Sequence, residues 1–267
     1  MSTYVFSDVH GHRATLERVL ERVSPCAEDV VFCLGDMIDR GPDPVGVMRV
    51  VRSLPNVRVL KGNHEDLMLD ALDHKDDVVS QANWAINGGM ATLSGLEGAS
   101  DDEASELIGW VRNLPLSAHI EVAGRPYIMA HAGIRPGGPL PADGAWNDCA
   151  LDALIGEQTP DDLLWIRDEF WSVPTGLLNE RGEGPIVVAG HTPTPYLTSM
   201  TDEFDRPVRN SDGIAQMVRV GACDATGGVA DRWDIDSGAA GGAGFGQITM
   251  VRLDDGEEFA EPVRDGE

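Results

Sequence analysis

The sequence predicts an α/β fold in which two sheets are sandwiched between helices, and three observations carry that expectation. Strand-like and helix-like runs alternate over residues 3 to 60, and strand-like runs return after residue 115. The chain, 267 residues long and 42% hydrophobic, is also large enough to bury a full core.

Residues Thr3 to Ser7 are short, apolar and rich in β-formers, which makes them the first strand. Leu16, Val19, Leu20 and Val23 then recur at helical spacing over residues 13 to 23. Asp29 to Leu34 reads as a second, buried strand. Residues 44 to 54 place Val47, Val50, Val51 and Leu54 on one helical face, and Val57 to Leu60 forms the third strand. This βαβαβ order implies parallel strands with right-handed crossovers, whose ligands gather at the strands' carboxyl ends. Residues 64 to 113 read as a helical segment that caps the site, with a stripe of Ala104, Leu107, Ile108 and Val111. Further strand-like runs lie at 116 to 122, 126 to 131, 185 to 189, 231 to 236 and 246 to 253, separated by Gly- and Pro-rich turns, and supply a second sheet. Residues 201 to 230, polar and glycine-rich, read as a loop insertion within a single domain spanning 1 to 267.

Composition narrows the function classes. Met1-Ser2-Thr3 runs directly into Tyr4-Val5-Phe6, without a basic segment or a cleavage site. No stretch approaches the roughly 18 apolar residues of a membrane span. The expectation is a soluble, cytoplasmic protein with no membrane partner. Cys26, Cys33, Cys149 and Cys223 are widely spaced, which suits free thiols better than a zinc knuckle. Forty-five acidic residues against 20 basic ones give a formal charge of −25, which repels a nucleic-acid polymer.

The chemistry lies just after the strands, in Ser7-Asp8-Val9-His10-Gly11-His12, Gly35-Asp36-Met37-Ile38-Asp39-Arg40-Gly41 and Gly62-Asn63-His64-Glu65. Asp8 and Asp36 are 28 positions apart, and Asp36 and Asn63 are 27 apart, each close to one βα crossover. Each crossover therefore returns the chain to the same sheet edge. Asp8 and His10, two apart in extended backbone, can approach one cation together. His131 and His191 follow further strand-like runs and join the cluster. Carboxylates, a carboxamide and imidazoles without thiolates suit Mn²⁺, Fe or Zn²⁺. Six such ligands exceed what one open catalytic ion needs. They fit two ions about 4 Å apart, an arrangement that clamps an in-line displacement, with Asp36 in the central loop as the bridge.

These motifs, in order D-x-H-G, G-D-x-x-D-R-G, G-N-H-E, H-x-G and G-H, resemble those of the calcineurin-like metallophosphoesterases, and among them the bacterial PPP-type serine/threonine protein phosphatases. The resemblance implies a β-sandwich of two mixed sheets flanked by helices. It implies one metal on Asp8, His10 and Asp36, and a second on Asp36, Asn63, His131 and His191, most simply Mn²⁺. It also implies in-line attack by a hydroxide bridging the two ions. His64 becomes the general acid, Asp39 its orienting partner, and Arg40 and Arg167 the holders of phosphoryl oxygens.

The leading substrate is phosphoserine or phosphothreonine in a protein. The alternative is symmetrical hydrolysis of diadenosine tetraphosphate, because Asn87-Gly88-Gly89-Met90-Ala91-Thr92-Leu93 resembles a segment shared by both kinds of enzyme. A third reading, from another class, is an inactive phosphatase-like binding scaffold. Ser7 stands where the family commonly has glycine, and the stretch from Asn210 to Phe245 is long for a bacterial member.

Single residues also have plainer readings. Asp43, Asp66 and Asp168 read as helix-start carboxylates, and Glu65 as a partner of nearby backbone. His12, His74 and His119 lie outside the ligand positions. Asp236-Ser237-Gly238-Ala239 resembles a C-terminal D-T-G-A segment of the family, and the glycine run around it reads as a turn between strands. The acid excess, with Lys61 and Lys75 as the only lysines, reads as adaptation to high salt or a solubility device. Salt adaptation predicts a melting temperature that rises with added KCl, and a flat or falling trend in a thermal-unfolding series would exclude it.

Overall fold

The structure is a computed structural model and describes residues 1–141 and 144–267. In chain order its elements are β1 (Thr3–Phe6), α1 (Arg13–Val23), β2 (Val30–Cys33), α2 (Pro44–Ser53), β3 (Val57–Val59), α3 (Asn63–Asp73), α4 (Val78–Ile86), α5 (Met90–Glu97) and α6 (Asp101–Arg112). There follow β4 (Ser117–Val122), β5 (Arg125–Ala130), α7 (Asp148–Gly156), α8 (Pro160–Trp165), α9 (Asp168–Trp171), β6 (Ile186–Ala189), β7 (Val218–Val220), β8 (Arg232–Asp234), β9 (Gln247–Arg252) and β10 (Glu258–Pro262).

Two five-stranded mixed sheets result, ordered β10-β9-β1-β2-β3 and β4-β5-β6-β8-β7. In the first, β1, β2 and β3 are parallel, and β9 and β10 are added antiparallel. In the second, β5, β6 and β8 are parallel, between antiparallel β4 and β7. The period of two along each strand divides the core into three layers. Val5, Phe32, Met129 and Val188 point between the sheets. Tyr4, Phe6, Val31 and Cys33 face the first helical layer, where Leu16, Val19, Val47, Val51 and Met68 meet them. Ile128, Ala130, Val187 and Ala189 face the second, against Leu154, Leu163 and Phe170.

The helices start where local chemistry allows. The Asp43 carboxylate accepts the Gly46 N–H at 2.8 Å ahead of Pro44, capping α2. Thr159 and Asp162 form a reciprocal capping box on α8. No helix among the described residues is long and apolar enough to cross a membrane.

Two elements depart from expectation. The segment 201 to 230 is not loop throughout, because Val218–Val220 forms the edge strand β7 and Asp224–Thr226 a 3₁₀ turn. Three residues are too few to register as an alternating pattern, and Arg219 gains its place from tertiary contact, its guanidinium lying 4.7 Å from the Trp233 ring centroid. Strand β10 also escaped the pattern. Its Glu-Phe-Ala-Glu-Pro sequence lies at a half-buried sheet edge, where charge and proline are tolerated.

One buried ion pair locks the second helical layer to its sheet. Arg232, 1% exposed, bonds Asp231 at 2.9 Å and donates to the carbonyls of Phe170, Trp171 and Val173. Asp231 in turn accepts from the backbone and hydroxyl of Thr175. Arg232→Met should therefore lower stability by about 3–5 kcal/mol, since it leaves a buried carboxylate without its cation. Urea unfolding of Arg232→Met measures this, and a loss below about 1 kcal/mol would contradict it.

Candidate metal centre

The carboxyl ends of the parallel strands of both sheets meet at one edge, and each delivers a polar loop there. Asp8 and His10 follow β1; Asp36, Asp39 and Arg40 follow β2; Asn63 and His64 open α3 after β3. His131 follows β5, His191 follows β6 and Asp236 follows β8, while Arg167 lies between α8 and α9. All ten residues expected from the sequence lie at this edge of the sandwich. His10, Asp36, Arg40, Asn63, His64, Arg167 and His191 line one cleft, with Asn87, Trp165, Pro193 and Asp236.

The loops leave their strands abruptly. Asp8, His10, Asp36, Asp39, Arg40 and His191 all adopt positive φ, between 45° and 69°, a conformation that non-glycine residues hold only when the surroundings impose it. Six of the nine such residues among those described are thus at the site, which marks strained backbone as a property of the centre. The β2 and β3 loops pass so closely that a Cβ on Gly35, at φ +99°, would lie 2.3 Å from the Gly62 nitrogen. Glu65 fastens the crossing, its carboxylate accepting the N–H groups of Asp36, Met37 and Gly62, each at 2.8 Å. The plain reading of Glu65 therefore holds, and the bonds it makes set the position of Asp36.

Two donor groups converge on Asp36: His10 and His64 with one side, His131 and His191 with the other. Asp36 Oδ2 lies 3.5 Å from His10 Nε2, and Oδ1 lies 3.4 Å from His131 Nε2. Asn63 Oδ1 lies 2.8 Å from His131 Nε2 and 2.9 Å from His191 Nδ1. Asp8 is more peripheral, 4.0 Å from His10 Nε2, and both its oxygens accept the His191 backbone N–H.

The donor set fits divalent cations. His10 Nδ1 and His131 Nδ1 each bond a backbone carbonyl at 3.0 Å, of Ile38 and Leu34, which fixes the tautomer and turns the Nε2 lone pair inward. Burial pushes His131 down to about 3, so its ring is neutral, and the lone pair meets the oxygens of Asn63 and Asp36 with no proton between them. His191 Nε2 is buried without a partner. Burial, then the neighbouring carboxylate Asp236, raises Asp8; burial, then Asp8 and Glu65, raises Asp36. A cation between these groups removes both the lone-pair contact and the carboxylate repulsion.

His64 falls within reach of the first donor group, yet both its nitrogens are engaged. Nδ1 lies 2.7 Å from Asp39 Oδ2, and Nε2 lies 3.1 Å from an Arg40 guanidinium nitrogen. Asp39 is fully buried, and its other oxygen accepts from Trp84 Nε1 at 3.1 Å and the Thr92 hydroxyl at 2.6 Å. The helical segment thus reaches the site through Trp84 and Thr92, and the Gly88 carbonyl accepts the Arg40 N–H. Arg167 makes no hydrogen bond or ion pair from its guanidinium among the described residues.

The model of the family described as calcineurin-like phosphoesterase matches residues 1–219. The chain belongs to the calcineurin-like phosphoesterases. A bis(5'-nucleosyl)-tetraphosphatase, symmetrical, from Erwinia tasmaniensis is 37% identical to this phosphoesterase over 163 residues, 60% of this chain and 54% of that one. The protein of the same name from Pectobacterium atrosepticum is 41% identical over 143 residues, 53% and 46% of the two chains. The phosphoesterase therefore spans about half the length of the curated relatives it matches. Its fold is similar to the crystal structure of a candidate diadenosine tetraphosphatase, with a TM-score of 0.52 at 19% identity over 99% of this chain and 94% of that one. It is also similar to a protein serine/threonine phosphatase from Saccharomyces cerevisiae, with a TM-score of 0.51 at 14% identity over 100% and 81%.

Sequence reasoning gave no role to Asp236 or Asn87, which line the cleft, or to Thr92, which holds Asp39, and read Trp84 and Trp165 only as packing or cleft wall; Trp165 does line the cleft, and Trp84 bonds Asp39. The signals were present. Asp236 follows a strand in the D-S-G-A segment, and Asn87 and Thr92 lie in the N-G-G-x-x-T-L run. Asp236 is buried, which raises it to about 6. Protein stripped with chelator and titrated with Mn²⁺ should bind about two ions per chain, and Asp36→Asn at most one, because the shared ligand is lost. Calorimetric stoichiometry reads this, and unchanged binding in the variant would rule out Asp36 as the bridge.

Proposed function

We propose that the phosphoesterase hydrolyses dinucleoside tetraphosphates symmetrically, splitting the central phosphoanhydride to release two nucleoside diphosphates. What carries the substrate class is kinship, since the curated relatives described above bear that name. The geometry supports a polyphosphate. In a chain of charge −25, Arg40 and Arg167 line the cleft with no carboxylate within ion-pairing distance among the described residues. The expectation of a phosphoserine or phosphothreonine substrate yields to its stated alternative, because likeness to the yeast phosphatase is one of fold alone.

Asp8, His10 and Asp36 would hold one divalent ion, and Asp36, Asn63, His131 and His191 the other, with Mn²⁺ the first choice and Fe or Zn²⁺ compatible with the same donors. When bound, the ions supply Lewis-acid neutralisation of phosphoryl charge and activate water for in-line displacement. Arg40 and Arg167 grip the non-bridging oxygens and fix the reacting phosphorus. The hydrogen bond between Arg40 and His64 Nε2 has to open as the guanidinium turns to phosphate, and Nε2 is then free to carry a proton. Asp39, bonded to Nδ1, keeps the ring aimed and favours its protonated form, and His64 delivers the proton to the bridging oxygen of the departing nucleoside diphosphate. Burial works against that form by lowering His64, so the Asp39 contact, held by Trp84 and Thr92, is what the acid role depends on. Four free cysteines are in keeping with a cytoplasmic enzyme.

With Mn²⁺ restored, diadenosine tetraphosphate should yield ADP as the sole nucleotide product, and a phosphoserine peptide should react with kcat/KM lower by at least about 100-fold. His64→Asn should reduce kcat by about 10²–10⁴. Product chromatography and peptide phosphate release test the reading. AMP with ATP as products, or the peptide as the better substrate, would remove it.

A further inference from the structure

We infer that the exposed ring of Tyr196 is a stacking subsite for a nucleobase of the bound nucleotide, a specificity element outside the metal centre. The inference rests on the nucleotide reading above and gives it a location. Among the described residues only two aromatic side chains are strongly exposed, Trp165 at 38%, which lines the cleft, and Tyr196 at 56%, three residues after Pro193 of that lining. An aromatic ring left in water has a face free to stack on a planar ligand, which the rings buried in the core do not.

The two rings occupy different places. Trp165 lines the cleft and meets His191 edge-on, with centroids 5.9 Å apart, beside the donors and hence beside the reacting phosphate. Tyr196 lies on the 3₁₀ helix Thr194–Ser199, outside that lining. Its N–H donates to the carbonyl of Pro193, itself a cleft residue, and the same 3₁₀ helix is tied to the Asp236 carbonyl through the Thr194 N–H. The Tyr196 ring neighbours Phe245, tilted by 42° with centroids 6.4 Å apart, and Arg209 lies over the Phe245 ring at 4.6 Å. Phe245 in turn packs on Gly238, whose N–H bonds Asp236. The ring therefore has Phe245 as an aromatic neighbour and is otherwise largely open to solvent, on a segment that follows the cleft residue Pro193.

The charge pattern agrees with this direction. Arg40 and Arg167, which line the cleft, and Arg209, over Phe245, have no carboxylate within ion-pairing distance among the described residues. On a surface this acidic, such guanidinium groups together with an exposed ring favour a polyanion that ends in a planar group. Stacking on an aromatic face is worth about 1–3 kcal/mol per base and tolerates any base, which predicts preference for nucleotide over naked polyphosphate without choice among bases.

The test is the equilibrium binding of ADP and of inorganic pyrophosphate to the Mn²⁺-loaded protein by calorimetry, in wild type, Tyr196→Ala and Tyr196→Phe. Tyr196→Ala should weaken ADP by about tenfold and change pyrophosphate by less than about twofold, and Tyr196→Phe should keep the wild-type preference, because the ring and not the hydroxyl stacks. Because Tyr196 is exposed, melting temperatures should match across the three, so a folding defect is visible separately. Equal ADP binding in wild type and Tyr196→Ala, or equal loss of ADP and pyrophosphate, would overturn the subsite. A wild type that leaves diadenosine tetraphosphate intact yet shows the Tyr196-dependent preference keeps the subsite and discards the proposed reaction. The converse, turnover with no Tyr196 effect, discards the subsite alone.

Discussion

The rest of the site depends on the burial of Asp36 between two sets of imidazoles. A carboxylate that is 2% exposed, beside Asp8 and Glu65, is costly in an apolar interior, and the fold keeps it there by over-determining the loop that carries it. Glu65 ties that loop to the next strand's exit through three backbone N–H groups, and Gly35 and Gly62 let the two loops touch. Once the loop is pinned, the two oxygens of Asp36 face opposite donor groups, and the geometry of a shared ligand follows.

The same pinning explains why strain gathers at this edge. The strands are short and buried on both faces, so each chain exit must turn within a residue or two to present a polar side chain. Positive φ at Asp8, His10, Asp36, Asp39, Arg40 and His191 is the cost, offset by the three-layer core beneath. A site on a rigid sheet edge holds its donors at fixed separations, which in-line displacement requires. Arg167, between two short helices, and Tyr196, on a 3₁₀ helix, are carried by segments other than those strand exits.

Much of the fold was legible because its strongest signals are local. The alternation through β3 and the helical spacing of Val47, Val50 and Val51 come from periodicity that needs no tertiary context. β7 and β10 were not legible for the opposite reason: three residues, or five with two glutamates and a proline, become strands only because a neighbouring edge supplies hydrogen-bond partners. The helices α7 to α9 likewise owe their place to the packing of Leu154, Leu163, Phe170 and Trp171 on the second sheet.

By itself the sequence determined which carboxylates and imidazoles gather at one edge, the family resemblance and the order of the motifs, since residue types spaced by one crossover return to one sheet edge. It left open several of the contacts those residues make. That Arg40 bonds His64 Nε2, that Asp8 turns partly to the His191 backbone, and that Asp236 enters the cleft are decided by distances between loops far apart in sequence. The tertiary structure decided them because hydrogen bonding and burial act at about 3 Å in space, a scale that separation along the chain does not encode.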